Sequence, residues 1–192
     1  MIGKEIEKIL LEHKKDYFTF AQLANYLSIK KSTLKVILSR LVKQGRVLRL
    51  IKGYYCHPQK MPDLERLACE LCYPSYISLE SALSLHGVLS QIPSAITMVT
   101  SGRSVNYNIR ETLIECSHIK KPLFFGYEIN GQAQIARPEK ALLDELYLIG
   151  LGKRTLNIKE LDCGKLNKKL FREWIGLYPT ATKELAASIK IF

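Results

Sequence analysis

The chain has 192 residues, enough for one large domain or two modest ones that each bury a core. Hydrophobic residues make up 47% of an ordinary globular composition, which excludes a disordered or fibrous chain. The formal charge of +11 is unevenly spread: residues 1–60 hold 13 Lys and Arg against 4 Asp and Glu, whereas residues 61–192 hold 16 against 14. A polyanionic partner is therefore expected on the N-terminal third. No apolar run approaches the roughly 20 residues of a membrane span and no signal-peptide pattern opens the chain, so the expected location is the cytoplasm, without a membrane partner. Five cysteines, Cys56, Cys69, Cys72, Cys116 and Cys163, are odd in number and irregular in spacing, which favours thiols over a disulfide framework. Cys69 and Cys72 form a C-x-x-C with no second pair, too little for a zinc site, and no metal is expected.

Residues 2–13 place Ile2, Ile6, Ile9 and Leu10 on one stripe, predicting a first helix. Tyr17 and Phe18 are expected to staple the chain onto a second helix that opens at Thr19 as N-cap, with Phe20, Leu23, Ala24 and Leu27 as its apolar stripe. After the polar break at residues 28–30, residues 31–44 form a third helix with Leu34, Ile37, Leu38, Leu41 and Val42 facing a core and Gly45 at its stop. At about 100° per residue the opposite face carries Ser32, Val36, Ser39 and Lys43, flanked by Thr33, Lys35 and Arg40. Small side chains let a helix sit deep in a groove, hydroxyls bond bases or phosphates, and Lys and Arg neutralise phosphates or read guanine. The β-formers of residues 46–51 and 54–57, with Lys52-Gly53 between them, predict a hairpin that lays Arg46, Arg49 and Lys52 along the nucleic-acid backbone. Two helices, a short turn and a basic hairpin are the pattern of a winged helix-turn-helix, so double-stranded DNA is the expected partner.

Pro58 to Pro62 encloses a joint where the charge balance changes, which divides the chain into a DNA-binding domain at 1–57, a linker at 58–62 and a second domain at 63–192. Helices are predicted at 63–73 and, capped by Ser78, at 79–86, with His86 read as a hydrogen-bonded core histidine. Short β-rich runs then fill residues 95–136, with Asn130-Gly131 as a hairpin turn, and predict a largely antiparallel sheet of four or five strands. The loop at residues 101–104 has one glycine and reads as an ordinary strand connection. Pro138 opens a helix to Gly150, on which Glu139, Lys140 and Asp144 read as solvated charges, since Glu139 and Asp144 stand about 140° apart round the helix. Three short helices, near 158–165, 168–177 and 180–189, close the chain. No acid, base or nucleophile set converges in residues 61–192, so no enzyme, catalytic residue or cofactor is expected. The fold class read from this pattern is α+β, a winged helix-turn-helix followed by a domain with a mainly antiparallel sheet packed by helices.

The order of a winged helix-turn-helix, a linker, YPSYISLESALSLHGV, a strand with ITMVT and finally ARPEKALLDELYL resembles the AbiEi-type antitoxins of type IV toxin-antitoxin systems, which act in abortive infection and phage defence. The resemblance covers nearly all of residues 1–190. It implies a bacterial protein whose N-terminal domain binds inverted repeats in its own promoter as a repressor, with two copies on the DNA. Its C-terminal domain would counteract a co-transcribed, nucleotidyltransferase-like toxin. On that basis the DNA-reading role falls on Ser32, Thr33, Lys35, Val36, Ser39 and Arg40, with Arg46, Arg49 and Lys52 on the backbone. The competing reading is a stand-alone winged-helix regulator whose second domain senses a ligand or dimerises.

Overall fold

The protein is described by a computed structural model over residues 2–131, 133–155, 157 and 160–188. It divides into two compact units, one of Met1–Leu64 with Asn108–Glu111, the other of Glu65–Tyr107 with Thr112–Phe192.

In the first unit the order is α1 (Ile2–Glu12), β1 (Phe18–Thr19), α2 (Phe20–Leu27), α3 (Lys31–Lys43), β2 (Leu48–Ile51) and β3 (Tyr54–Cys56). Ile6 and Leu10 of α1, Leu23 and Ala24 of α2, and Leu34, Leu38 and Leu41 of α3 fill one core. Full burial stabilises by about 1.5–3 kcal/mol per large aliphatic side chain, so seven such positions fix the packing of three short helices that would not hold alone. Thr19 caps α2 in a reciprocal box: its hydroxyl accepts from the Gln22 N–H at 3.2 Å, and the Gln22 side chain accepts from the Thr19 N–H at 2.9 Å. Ser28, at φ 52°, turns the chain left-handed into the short break before α3. Gly45, at φ 69°, ends α3, where its N–H bonds to Val42 and the Arg46 N–H reaches back to Leu41.

The three strands lie in the order β1-β3-β2, all antiparallel. Phe18 and Thr19 pair with Tyr55 and Tyr54, so the residues expected to staple the helix entry instead supply a third strand. Two residues lack the length for any periodic signal, which is why the sequence hides them. Helix, strand, two helices and a hairpin are the arrangement of a winged helix-turn-helix, and the hairpin is its wing.

The second unit contains α4 (Leu64–Leu71), β4 (Ser75–Ile77), α5 (Leu79–Leu85), β5 (Ala95–Thr100), β6 (Val105–Ile109), β7 (Thr112–His118), β8 (Tyr127–Asn130), β9 (Ala133–Ala136), α6 (Pro138–Gly150), α7 (Lys168–Ile175) and α8 (Thr180–Ser188). One six-stranded sheet runs β6-β7-β5-β4-β9-β8. It is mixed, for β5 pairs with β7 and β4 with β9 in parallel, whereas β4·β5 and β8·β9 are antiparallel. The strand absent from the sequence reading is β4, three residues buried on both faces and therefore without alternation. Asn130 pairs with Ala133, so Asn130 belongs to β8 and Gly131, at φ 62°, opens the turn one residue later than expected. Of the predicted helix at 158–165, residues 158 and 159 lie outside the described part and Cys163–Lys165 forms a single 3-10 turn. Residue 189, the expected end of the last helix, also lies outside it.

The helix α6 overturns the reading of its charges as solvated. Every residue from Glu139 to Leu148 is buried, Lys140, Asp144 and Glu145 with no exposure at all. A central helix packed on all sides buries whatever its sequence carries, and these side chains are accommodated by pairing.

Candidate nucleic-acid interface

The face of α3 turned away from the core is uncovered. Ser32, Thr33, Lys35, Val36, Ser39, Arg40 and Lys43 are all exposed, and Val36, near the centre, is 71% so. Six of them, Ser32, Lys35, Val36, Ser39, Arg40 and Lys43, line one open depression of about 630 Å³. The helix carries no acidic residue, so nothing along it repels a phosphate backbone.

Its N-terminus adds two lysines that the sequence reading left out. Lys30 occupies the N-cap without a side-chain cap bond, and Lys30 and Lys31 are both exposed. The first bond from an α3 amide to the helix start is from the Leu34 N–H to the Lys30 carbonyl at 3.0 Å, which leaves the earlier amides pointing outward. Cations at the positive end of a helix dipole cost stability, roughly 0.3–1 kcal/mol each, and the placement becomes favourable when an anion sits there. The signal was legible in the sequence as two lysines where Asp or Ser would be expected.

The wing residues are not equivalent. Arg49 and Lys52 are exposed, the first on β2 and the second at the hairpin turn. The turn depends on Gly53, whose φ of 88° favours glycine and whose carbonyl accepts from the Phe20 N–H at 2.7 Å, tying wing to α2. Arg46 lies apart: its guanidinium pairs with Glu7 of α1 and bonds Gln44 Oε1 at 3.3 Å. It braces α1 against the exit of α3, so its side chain is engaged within the unit.

The second unit holds its charge inside. Asp144 accepts from the Tyr76 hydroxyl at 2.9 Å, the Ser78 hydroxyl at 2.8 Å and the Tyr178 hydroxyl at 3.2 Å, and it pairs with Lys140. The Lys140 ammonium lies 5.2–5.6 Å from the ring centres of Tyr76, Phe125 and Tyr178. Burial pulls the Lys140 pKa down, opposed by the Asp144 charge. The Tyr76 and Tyr178 hydroxyls are held well above the usual range by burial and then by the same carboxylate. Ser78, expected to cap α5, gives its hydroxyl to Asp144 and makes no cap bond.

A second network surrounds Arg154. Its guanidinium bonds Glu80 at 2.5 and 2.7 Å, Glu115 at 3.1 Å and Glu145 at 3.3 Å. Burial, reinforced by the Glu80 charge and opposed by Arg154, pushes the Glu145 carboxyl up to about 8, and its Oε2 has no partner. Both networks are closed around their own members, with the chemistry of structural buried pairs. His86 is exposed and not in the core, its Nε2 within 2.8 Å of the Ala136 carbonyl at a cleft of about 460 Å³ that also includes Ile129 and Arg137. Among the described residues no three His, Cys, Asp or Glu side chains are arranged to hold a metal ion.

Residues 5–58, the winged unit, match the family model described as "Transcriptional regulator, AbiEi antitoxin". No curated protein matches the chain. The N-terminal region is thus that of an antitoxin-type DNA-binding regulator, and the matched family is one of transcriptional regulators, not of enzymes. No described helix is long and apolar enough to cross a membrane.

Proposed function

We propose that the protein is the antitoxin of a type IV toxin-antitoxin system and the repressor of its own operon. The observation that carries this reading is the acid-free, uncovered face of α3 in a region matching an AbiEi antitoxin regulator. Ser32, Thr33, Val36 and Ser39 enter the major groove, Lys35, Arg40 and Lys43 meet base edges or phosphates, and Arg49 and Lys52 follow the flanking backbone. Lys30 and Lys31 hold a phosphate at the amides of the α3 start. Arg46 acts mainly through Glu7, as a brace. Two copies occupy inverted repeats in the promoter, since one winged domain reads one half-site. The second unit counteracts a nucleotidyltransferase-like toxin encoded beside it, and the protein works in the cytoplasm, where its DNA lies.

The test uses the full chain and Lys35→Ala with Arg40→Ala in cells carrying the neighbouring gene and a promoter reporter. The expected result is that the native chain represses the reporter and relieves growth arrest, while the double variant loses repression and still relieves arrest. A neighbouring gene that leaves growth unaffected would replace the antitoxin half by a ligand-responsive or dimerising regulator. An unrepressed reporter with native chain would overturn autorepression.

A further inference from the structure

Three of the five cysteines converge in the second unit, and none of the five is in a disulfide. Cys72 closes the last turn of α4, its N–H bonding the Ala68 carbonyl at 2.9 Å, and its thiol is in side-chain hydrogen bond with that of Cys116 on β7. Both are buried, Cys72 at 5% exposure and Cys116 at 1%. Cys69, one turn back along α4 and half-buried, lies near enough to Cys116 for its charge to act there. The Tyr107 hydroxyl reaches the Leu71 carbonyl at 3.4 Å, holding β6 over the same end of α4.

We propose that Cys72 and Cys116 are a reversible oxidation site, converted by a hydroperoxide into a disulfide that fastens the end of α4 to β7. Their thiols already touch, and a disulfide needs only that the two sulfurs close to about 2.0 Å. The C-x-x-C alternative is less apt, because two residues three apart on a helix hold their Cβ atoms about 5–6 Å apart, beyond the roughly 3.5–4.5 Å of a relaxed disulfide.

The contact also sets the order of events. The hydrogen bond from Cys116 lowers the Cys72 pKa against the opposing effect of burial, while the Cys116 pKa is raised by that same bond and by burial. Cys72 is therefore the attacking thiolate. It displaces one oxygen of the peroxide bond, leaving Cys72 as the sulfenic acid and releasing one water with the thiol proton. Cys116 then attacks the sulfenic sulfur, the S–S bond forms, and the hydroxyl leaves with the Cys116 proton as a second water. Two thiols give up two electrons and hydrogen peroxide becomes two waters. In a reducing compartment such a bond is transient and is reopened by dithiol reductants.

The decisive experiment treats the reduced full chain with hydrogen peroxide, blocks remaining thiols with iodoacetamide and maps peptides by mass spectrometry. The expected product is a peptide containing Cys72 linked to one containing Cys116, with alkylation of both restored by dithiothreitol. In Cys116→Ser, Cys72 should take up dimedone as its trapped sulfenic acid, while Cys56, raised to about 11 by burial, should react on the order of tenfold more slowly. Recovery of Cys72 and Cys116 as alkylated thiols while Cys163 is oxidised, or a link through Cys69 in place of Cys116, would overturn the proposal. The mapping on the native chain decides this without any variant.

Discussion

Asp144 accepts three hydroxyls and the Lys140 ammonium with no solvent exposure, so the two partners in that ion pair are unequally supported. Removing the carboxylate charge leaves a cation buried against aromatic rings, whereas removing the ammonium leaves a carboxylate that keeps three donors. Asp144→Asn should therefore destabilise by about 3–5 kcal/mol, and Lys140→Met by less, as measured by urea denaturation of the folded chain. Equal or reversed costs would mean that the hydroxyls do not carry the carboxylate. Glu145 makes a different prediction because its folded-state pKa is raised, to about 8 from an ordinary 4.5. Below the lower value the carboxyl is protonated in both states and the folded chain loses nothing. As pH rises the unfolded chain ionises first, so stability falls through this window, by at most about 1.4 kcal/mol per pH unit, and levels off above pH 8. Glu145→Gln should flatten that fall between pH 5 and 8 and give a more stable protein at pH 8. A variant with the same pH profile as the native chain would show that Glu145 titrates normally.

At the scale of elements, α2 is the shortest helix of the winged unit and rests on its cap. Thr19→Ala removes one side of the reciprocal bond with Gln22 and should cost about 1 kcal/mol by thermal denaturation, with Gln22→Ala costing a similar or smaller amount. The element most legible in the sequence is α3, since its two faces differ in every turn: Leu34, Leu38 and Leu41 are buried, whereas Ser32, Val36 and Ser39 are exposed. Thr19 as a cap and Gly45 as a stop were legible because cap chemistry is local. Strands β1 and β4 were not, being two and three residues long and defined only by distant partners. The charges of α6 were misleading for a related reason. A helical wheel shows angles between residues of one helix, but whether Glu139, Lys140, Asp144 and Glu145 meet water depends on the sheet and helices packed round it. The Lys140 to Asp144 spacing of four was the one local hint of a pair. The engagement of Arg46 with Glu7 joins residues 39 positions apart, beyond any motif.

For the molecule as a whole, the charge asymmetry and the architecture agree: the basic third is the winged unit, and the nearly balanced remainder keeps its interior charges paired. DNA binding through α3 is then an electrostatic event built on a groove-sized helix face, and it has a quantitative signature in salt. The most direct test titrates promoter DNA with the full chain by fluorescence anisotropy across a salt series, beside Lys35→Ala with Arg40→Ala. The account predicts that log K falls linearly and steeply with log salt, and that the double variant binds more weakly by a few kcal/mol with a slope shallower by up to about two. Native affinity and native slope in the double variant, or binding insensitive to salt, would contradict it.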